Sequence, residues 1–283
     1  MKKEIINQHL SGERALFKSN DLHIISCLFD DGESPLKESS DLLIENTTFG
    51  YKYPLWYGKN HIVKNSTFLL MSRSGIWYTN DSLFEDIHFI APKEFRRCNN
   101  ISLKNVIFDD ASETLWSCSK VNIENMKAKG DYLLKDCDSA IVSNLRLDGN
   151  YVFDGAKNIT IKDSVLNSKD AFWNSENITI INCKIDGEYF GWNSKNIKII
   201  NSTISSHQGF CYIDNLVMEN CIISSGDLLF EYCHNIDIDV STSILESIKN
   251  PYSGIITCKD YKELILDDDN INKDKIKIIK KGE

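Results

Sequence analysis

Five tryptophans recur in one register of the chain. Trp56, Trp77, Trp116, Trp173 and Trp192 each lie four residues before the end of a repeating unit. The same rung is filled elsewhere by Arg96, Lys135, Asp154, Cys211 and Glu231. Charged side chains cannot sit unpaired inside a core, so the column is expected on the outside. Beside it falls a charged set: Glu13, Arg14, Glu33, Lys37, Lys52, Arg73, Lys93, Glu94, Arg96 and Glu113. An aromatic strip with charged rungs suits stacking on sugar rings or docking a partner. Mixed acids and bases suit an anionic or polyhydroxyl ligand, and an Arg or Lys close to a Glu is one way to build a proton-abstracting site. The plainer alternatives are that the indoles cover an apolar groove and that the charges pair to hold irregular loops. The candidate binding residues are Glu33, Lys52, Trp56, Arg73, Trp77, Lys93, Arg96, Glu113 and Trp116; no catalytic residue is assigned.

What must position these residues is a repeat. Ile159-Thr160-Ile161-Lys162-Asp163 recurs as Ile178-Thr179-Ile180-Ile181-Asn182, and Ala171-Phe172-Trp173-Asn174-Ser175 as Phe190-Gly191-Trp192-Asn193-Ser194, a period of 19 residues. Units close at Asp21, Asp41, Asn60, Asp81, Asn100, Lys120, Ser139, Asn158, Asn177, Asn196, Asn215 and Asn235, spaced 19 to 21 residues apart. A fixed period of this size marks a solenoid, each turn burying its apolar face on its neighbours. Each unit opens with an alternating, β-branched run, a strand signal. Its fifth position is Asn or Asp, which tolerates turn geometry and, stacked, forms an amide ladder. A second apolar site follows (Phe49, Phe68, Phe89, Phe108, Leu147, Leu166, Ile185, Ile204, Ile223), and a third strand is expected at the Trp-bearing segment. Three short strands per turn make a parallel β-helix. The pentapeptide and left-handed hexapeptide helices need sub-periods that are absent, and the general hand of parallel crossovers is right-handed. The expectation is an all-β, right-handed parallel β-helix of about 12 turns of 19–21 residues. Stacked at about 4.8 Å per turn, the Trp column would run roughly 34 Å.

The whole chain of 283 residues reads as one domain: an N-terminal cap over 1–21, repeat turns over 22–240 and a C-terminal cap over 241–283. Net charge is −9, which disfavours nucleic acid and anionic membrane as partners. No apolar run approaches a membrane span, and Met1-Lys2-Lys3-Glu4 leads into no signal sequence. The nine cysteines form no CxxC pair and sit in columns that otherwise hold Ser, Thr or Ala, so they read as small inward-facing fillers rather than zinc ligands. A cytoplasmic location with no disulfide is expected, with neither metal nor cofactor. Asp30-Asp31 and Asp109-Asp110 follow second strands, as in some polysaccharide hydrolases, but their usual partner motifs are missing. The six histidines, His9, His23, His61, His88, His207 and His234, read as sharing no column.

The turns from 22 to 120 are the less regular half, with third segments GESPLKES, KYPLWY, RSGIWY, APKEFRR and ETLWSC, and GERALF lies in the segment before them. In this order and chain length they resemble a family of uncharacterised, mainly bacterial proteins, a domain of unknown function in the pectin-lyase-like β-helix group. The resemblance spans essentially the whole chain. It implies a right-handed β-helix and carries no established activity. Two functions fit: a binding or scaffold protein using the Trp-lined, charge-rich face for a carbohydrate or protein partner, or a carbohydrate-active enzyme, lyase or hydrolase, with its site on that face.

Overall fold

The computed structural model describes residues 2–281. They fall into two compact units, Met1–Leu147 and Asp148–Glu283. In the first, Lys3–Ile6, Leu22–Ile25, Leu43–Glu45, Ile62–Lys64, Asn80–Glu85 and Asn99–Phe108 stack as parallel strands, each paired with the next. In the second, Ile159, Ile178, Ile197, Leu216 and Ile236 face one another on successive parallel strands. The protein is an all-β parallel solenoid with almost no helix; Leu70–Ser72 and Lys273–Lys275 are single 3-10 turns.

The alternating runs place every second residue in the interior. Phe29, Phe49, Phe68, Phe89 and Phe108 form one ring ladder in the first unit, with successive centroids 5.3, 4.6, 4.6 and 4.6 Å apart. Phe153, Phe172, Phe190, Phe210 and Phe230 form another in the second, all fully buried or nearly so. Each such ring contributes about 2–3 kcal/mol by leaving water, and every turn repeats the same contacts.

The corners are made by left-handed residues. The fifth-position Asn or Asp, from Asn46 (φ 51) to Asn220 (φ 50), and the unit-closing residue, from Asp21 (φ 56) to Asn235 (φ 53), all have positive φ. None of the non-glycine residues at positive φ is Val, Ile or Thr among those described, as the clash of a branched Cβ requires. The side chains then bond up the stack. Asn105 Nδ2 donates to Asp86 at 3.0 Å, Asn125 to Asn105 at 2.8 Å and Asn144 to Asn125 at 3.0 Å. The ladder has a direction. Asp41, Asp81, Asp86, Asp154 and Asp163 each accept from the Asn one turn later. A carboxylate only accepts, so it starts a ladder and cannot continue one.

Four expectations need correction. The solenoid has about 15 turns rather than about 12. Residues 3–21, expected as a cap, form a turn whose strand pairs Lys3 with Leu22. Beyond residue 240, His234–Lys249, Gly254–Ile265 and Ile276–Lys280 go on pairing in parallel. These turns lack the Asn corner. A register shift between Val240 and Ile244 does its work, which hides the repeat from pattern reading. The third segment is also not a strand. Phe95 (φ 54) and Arg97 (φ 52), Leu115 (φ 60) and Ser117 (φ 52), and Phe172 (φ 60) and Asn174 (φ 52) alternate through the left-handed region. Single bridges such as Trp77 to Arg96 and Arg96 to Trp116, and separate backbone bonds such as Leu36 N–H to Pro54 O at 3.0 Å, join these segments.

Candidate functional site

The alternation in the third segment buries Leu55, Ile76, Phe95 and Leu115 completely and leaves the next residue half-buried on the outside: Trp56, Trp77, Arg96 and Trp116. In the first unit these four side chains form one stack. Trp56 and Trp77 lie 5.1 Å apart and 8° from parallel. The Arg96 guanidinium sits 4.5 Å from the Trp77 ring and 4.6 Å from the Trp116 ring, which explains how a cation replaces an indole in the column. Tyr53 covers the other side of Trp56 at 4.6 Å, and Tyr132 meets Trp116 edge-on. In the second unit Trp173 and Trp192 stack at 5.4 Å.

Every indole N–H is engaged within the protein. Trp56 donates to the Ser74 carbonyl, Trp77 to Lys93 at 2.9 Å, Trp116 to Tyr132 at 2.6 Å, Trp173 to Tyr189 at 2.6 Å and Trp192 to Gln208 at 3.1 Å. Ser74, Lys93, Tyr132 and Gln208 are themselves at positive φ. Each indole reaches up the stack and serves a backbone group beside a left-handed corner of the third segment. With the facing sides of the rings stacked and every donor taken, the Trp column of the first unit is largely engaged within the fold.

The charged set divides. Glu33 pairs with Lys52 at 3.0 Å, and this bond is the main reason the Lys52 ammonium is held above its usual range. Glu113 bridges Lys93 at 3.0 Å and Arg96 at 3.1 Å. Lys37 lies 5.5 Å over Tyr57, which stacks on Tyr78. Arg73 is exposed and has no ion pair among the described residues, and the same holds for Arg97. Beside Arg73 in sequence, Leu69, Leu70 and Met71 are exposed, Leu70 to 61%.

Glu94, placed by sequence with the surface charges, is completely buried. Its Oε2 accepts from Gly75 N–H at 2.9 Å and its Oε1 has no partner. Burial drives its carboxyl well above the usual range, which favours the neutral form. A Cβ on Gly75 would strike that carboxyl, which is why the motif RSGIWY carries a glycine there. His61 is a second buried polar residue that sequence reading missed. It faces inward just before the strand Ile62–Lys64, with both ring nitrogens unpartnered and burial pulling its pKa down to about 4. Gly58 leaves the space that its ring occupies.

The aspartate pairs have surface roles. Asp30 bonds His9 at 2.6 Å, Asp109 lies 3.0 Å from His88 Nε2, and Asp110 accepts from Ser112 N–H at 2.9 Å. His9 and His88 do share a column, that of Leu28, Thr48 and Thr67, which corrects the reading of unrelated histidines. All nine cysteines are buried free thiols. Burial raises the pKa values of Cys98, Cys137 and Cys233, which keeps these thiols in their unreactive form. No group of three His, Cys, Asp or Glu among the described residues is arranged to hold a metal ion, and none of their helices is long and apolar enough to cross a membrane.

Among solved structures the chain is similar to the A-module of the Azotobacter vinelandii mannuronan C-5 epimerase AlgE4, with 8% identity, 86% of this chain and 90% of that chain covered, and a TM-score of 0.48. It is also similar to PfbA, a surface adhesin of Streptococcus pneumoniae (11% identity, 94% and 84% covered, TM-score 0.40). A third likeness is to the periplasmic alginate epimerase AlgG (8% identity, 93% and 77% covered, TM-score 0.27). At these identities none of the likenesses bears on function. No curated protein matches. The motif-bearing third segments and the solenoid that carries them extend through nearly the whole sequence, and residues 3–279 match the family described as "Protein of unknown function (DUF3737)", to which the chain belongs.

Proposed function

We propose that this is a binding or scaffold protein whose first unit takes a protein partner through a cationic, partly apolar surface around Arg73. The observation that carries this reading is the pair of exposed guanidiniums, Arg73 and Arg97, left without an acidic partner while Glu33 and Glu113 are bound to lysine and arginine. Exposed Leu69, Leu70 and Met71 adjoin Arg73 and supply an apolar anchor. An acidic protein segment with one or two apolar side chains is the complement. A carbohydrate partner fits the same surface less well. Sugar stacking needs a free aromatic face, and in this stack both faces of Trp77 and one face each of Trp56 and Trp116 lie against another indole or Arg96.

The enzyme reading finds little support in the same residues. An acid–base pair needs a reachable carboxyl with a poised proton. Glu113 is fixed by two cations, and the one carboxyl of this group driven strongly upward, Glu94, is sealed in the core. Nine buried, unbridged thiols are compatible with the reducing cytoplasm we assign to the protein.

The test is co-purification with wild type and with the Arg73→Gln/Arg97→Gln variant, followed by direct titration of whatever the wild type retains. The variant should lose the partner by at least about tenfold while melting as the wild type does. The wild-type complex should also weaken as salt rises from low to physiological strength. Undiminished, salt-independent capture by the variant would place the contact elsewhere.

A further inference from the structure

The second unit carries an aromatic column that the tryptophan register hides. Tyr212, Tyr232 and Tyr252 occupy the position next to the Trp rung. Their rings follow one another at 5.3 and 5.4 Å, each tilted by 37°. His234 lies 4.4 Å from Tyr252, nearly parallel to it. These four side chains and Asp268 line an open hollow of about 330 Å³. Tyr212 is 48% exposed, and His234 is also exposed.

The hollow differs from the Trp column in what is left available. No hydrogen bond within the described residues engages the Tyr212 or Tyr252 hydroxyl or either ring nitrogen of His234. Asp268 accepts from the backbone N–H and side-chain amide of Asn270, at 2.9 and 2.8 Å, and the Tyr232 hydroxyl beside it helps to lower its pKa. These bonds hold Asp268 ionised and fixed, and a carboxylate with about four acceptor sites keeps room for one more donor. Inclined aromatic walls, free hydroxyls, a free imidazole and one anchored carboxylate form an apolar hollow with a few convergent polar groups.

We propose that this hollow is a subsite for one neutral pyranose ring. The C–H face of the sugar lies on the tyrosine rings, which supply area and a polarised face. Two adjacent hydroxyls of the sugar donate to Asp268 and bond His234. Charge sets the class of sugar. Asp268 is ionised, none of the described residues that line the hollow is a lysine or arginine, and the neighbouring ammonium of Lys249 is taken by Glu231 at 2.9 Å. With no lysine or arginine among the described lining residues to receive a carboxylate, the site disfavours uronates and other anionic sugars. The site is independent of the Arg73 surface, which is built from different residues and has the opposite charge.

Saturation-transfer NMR on the full chain tests this. The probes are methyl pyranosides of glucose, galactose, mannose and N-acetylglucosamine, with methyl galacturonate as the anionic control. At least one neutral probe should receive saturation at its ring C–H protons, and the galacturonate should not. Tyr212→Ala and His234→Ala change exposed side chains, so both should melt as the wild type does and bind the probe at least about tenfold more weakly. The Arg73→Gln/Arg97→Gln variant should keep full binding of the probe, which separates a failure here from a failure of the partner surface. The inference is overturned if no neutral pyranoside receives saturation, if binding survives both exposed substitutions, or if the galacturonate alone binds.

Discussion

The tryptophan column of the first unit and the tyrosine column of the second are built by the same corner geometry and end in opposite states. At Trp77 the indole N–H is bonded to Lys93 O at 2.9 Å, with Trp56 stacked at 5.1 Å and Arg96 lying 4.5 Å from the ring. At Tyr212 the ring is half in solvent and its hydroxyl has no partner among the described residues. The lesson is that an aromatic repeat on a solenoid face identifies a column, not a use. The use follows from which faces and donors the fold itself has taken.

Truncating one rung in each column is the strongest way to break that contrast. Trp77→Ala removes a stacked ring and strands the Lys93 carbonyl, and should cost about 3–5 kcal/mol in denaturant unfolding. Tyr212→Ala should cost about 1 kcal/mol or less, because little of its contact is internal. Equal costs would show that the two columns do the same work.

The buried ionisable groups of the first unit sharpen the comparison through pH. His61 has a folded pKa of about 4 against an ordinary 6.5. Its neutral form is favoured by folding, so the stability it supports is complete above pH 6.5 and is lost as pH falls toward 4, by about 3 kcal/mol in all. Glu94 acts oppositely. Its folded pKa is raised, so its contribution is complete below about pH 4.5 and is lost as pH rises toward the folded value. Glu94→Gln should therefore raise the melting temperature more at pH 8 than at pH 5, and His61→Leu should flatten the acid limb. An Glu94→Gln variant with an unchanged pH profile would mean that the carboxyl is not held protonated.

The ladders predict a smaller, directional effect. Asn105→Asp leaves Asp86 without its donor and puts two carboxylates on adjacent rungs, and should cost about 1–2 kcal/mol. Asp86→Asn keeps an acceptor in place for Asn105 and should be near neutral. If the two substitutions cost the same, the ladder has no direction.

Much of this fold was legible because the constraints are local and repeated. Asn and Asp at the corners, alternating Ile, and Phe at the second apolar site each state a backbone requirement that recurs every 19 to 21 residues. The last turns were hidden because a register shift and a 16-residue strand replace the Asn corner there, whereas the first turn keeps its corner at Asn7 (φ 52). At the site, the outward direction of the Trp column followed from its charged rungs, although the backbone that produces it is a left-handed turn series and not a strand. Arg96 was read as an exposed ligand group, but it is wedged between two indoles and tied to Glu113. The burial of Glu94 and His61 depends on the space left by Gly75 and Gly58 on neighbouring segments, which no single column shows. The tyrosine column was present in the spacing of Tyr212, Tyr232 and Tyr252 but lay one residue away from the register being followed.

The central claim is that the tryptophans are an internally satisfied spine, so that recognition by this face falls to its unpaired cations. Hydrogen exchange at the five indole N–H groups, read by ¹⁵N-edited NMR, tests it most directly. Each indole donates to a backbone carbonyl on the following turn, so all five should exchange at least about a hundredfold more slowly than free tryptophan. Indole protons that exchange at the free rate and shift when a saccharide or partner is added would contradict it, and would return the tryptophans to the binding surface.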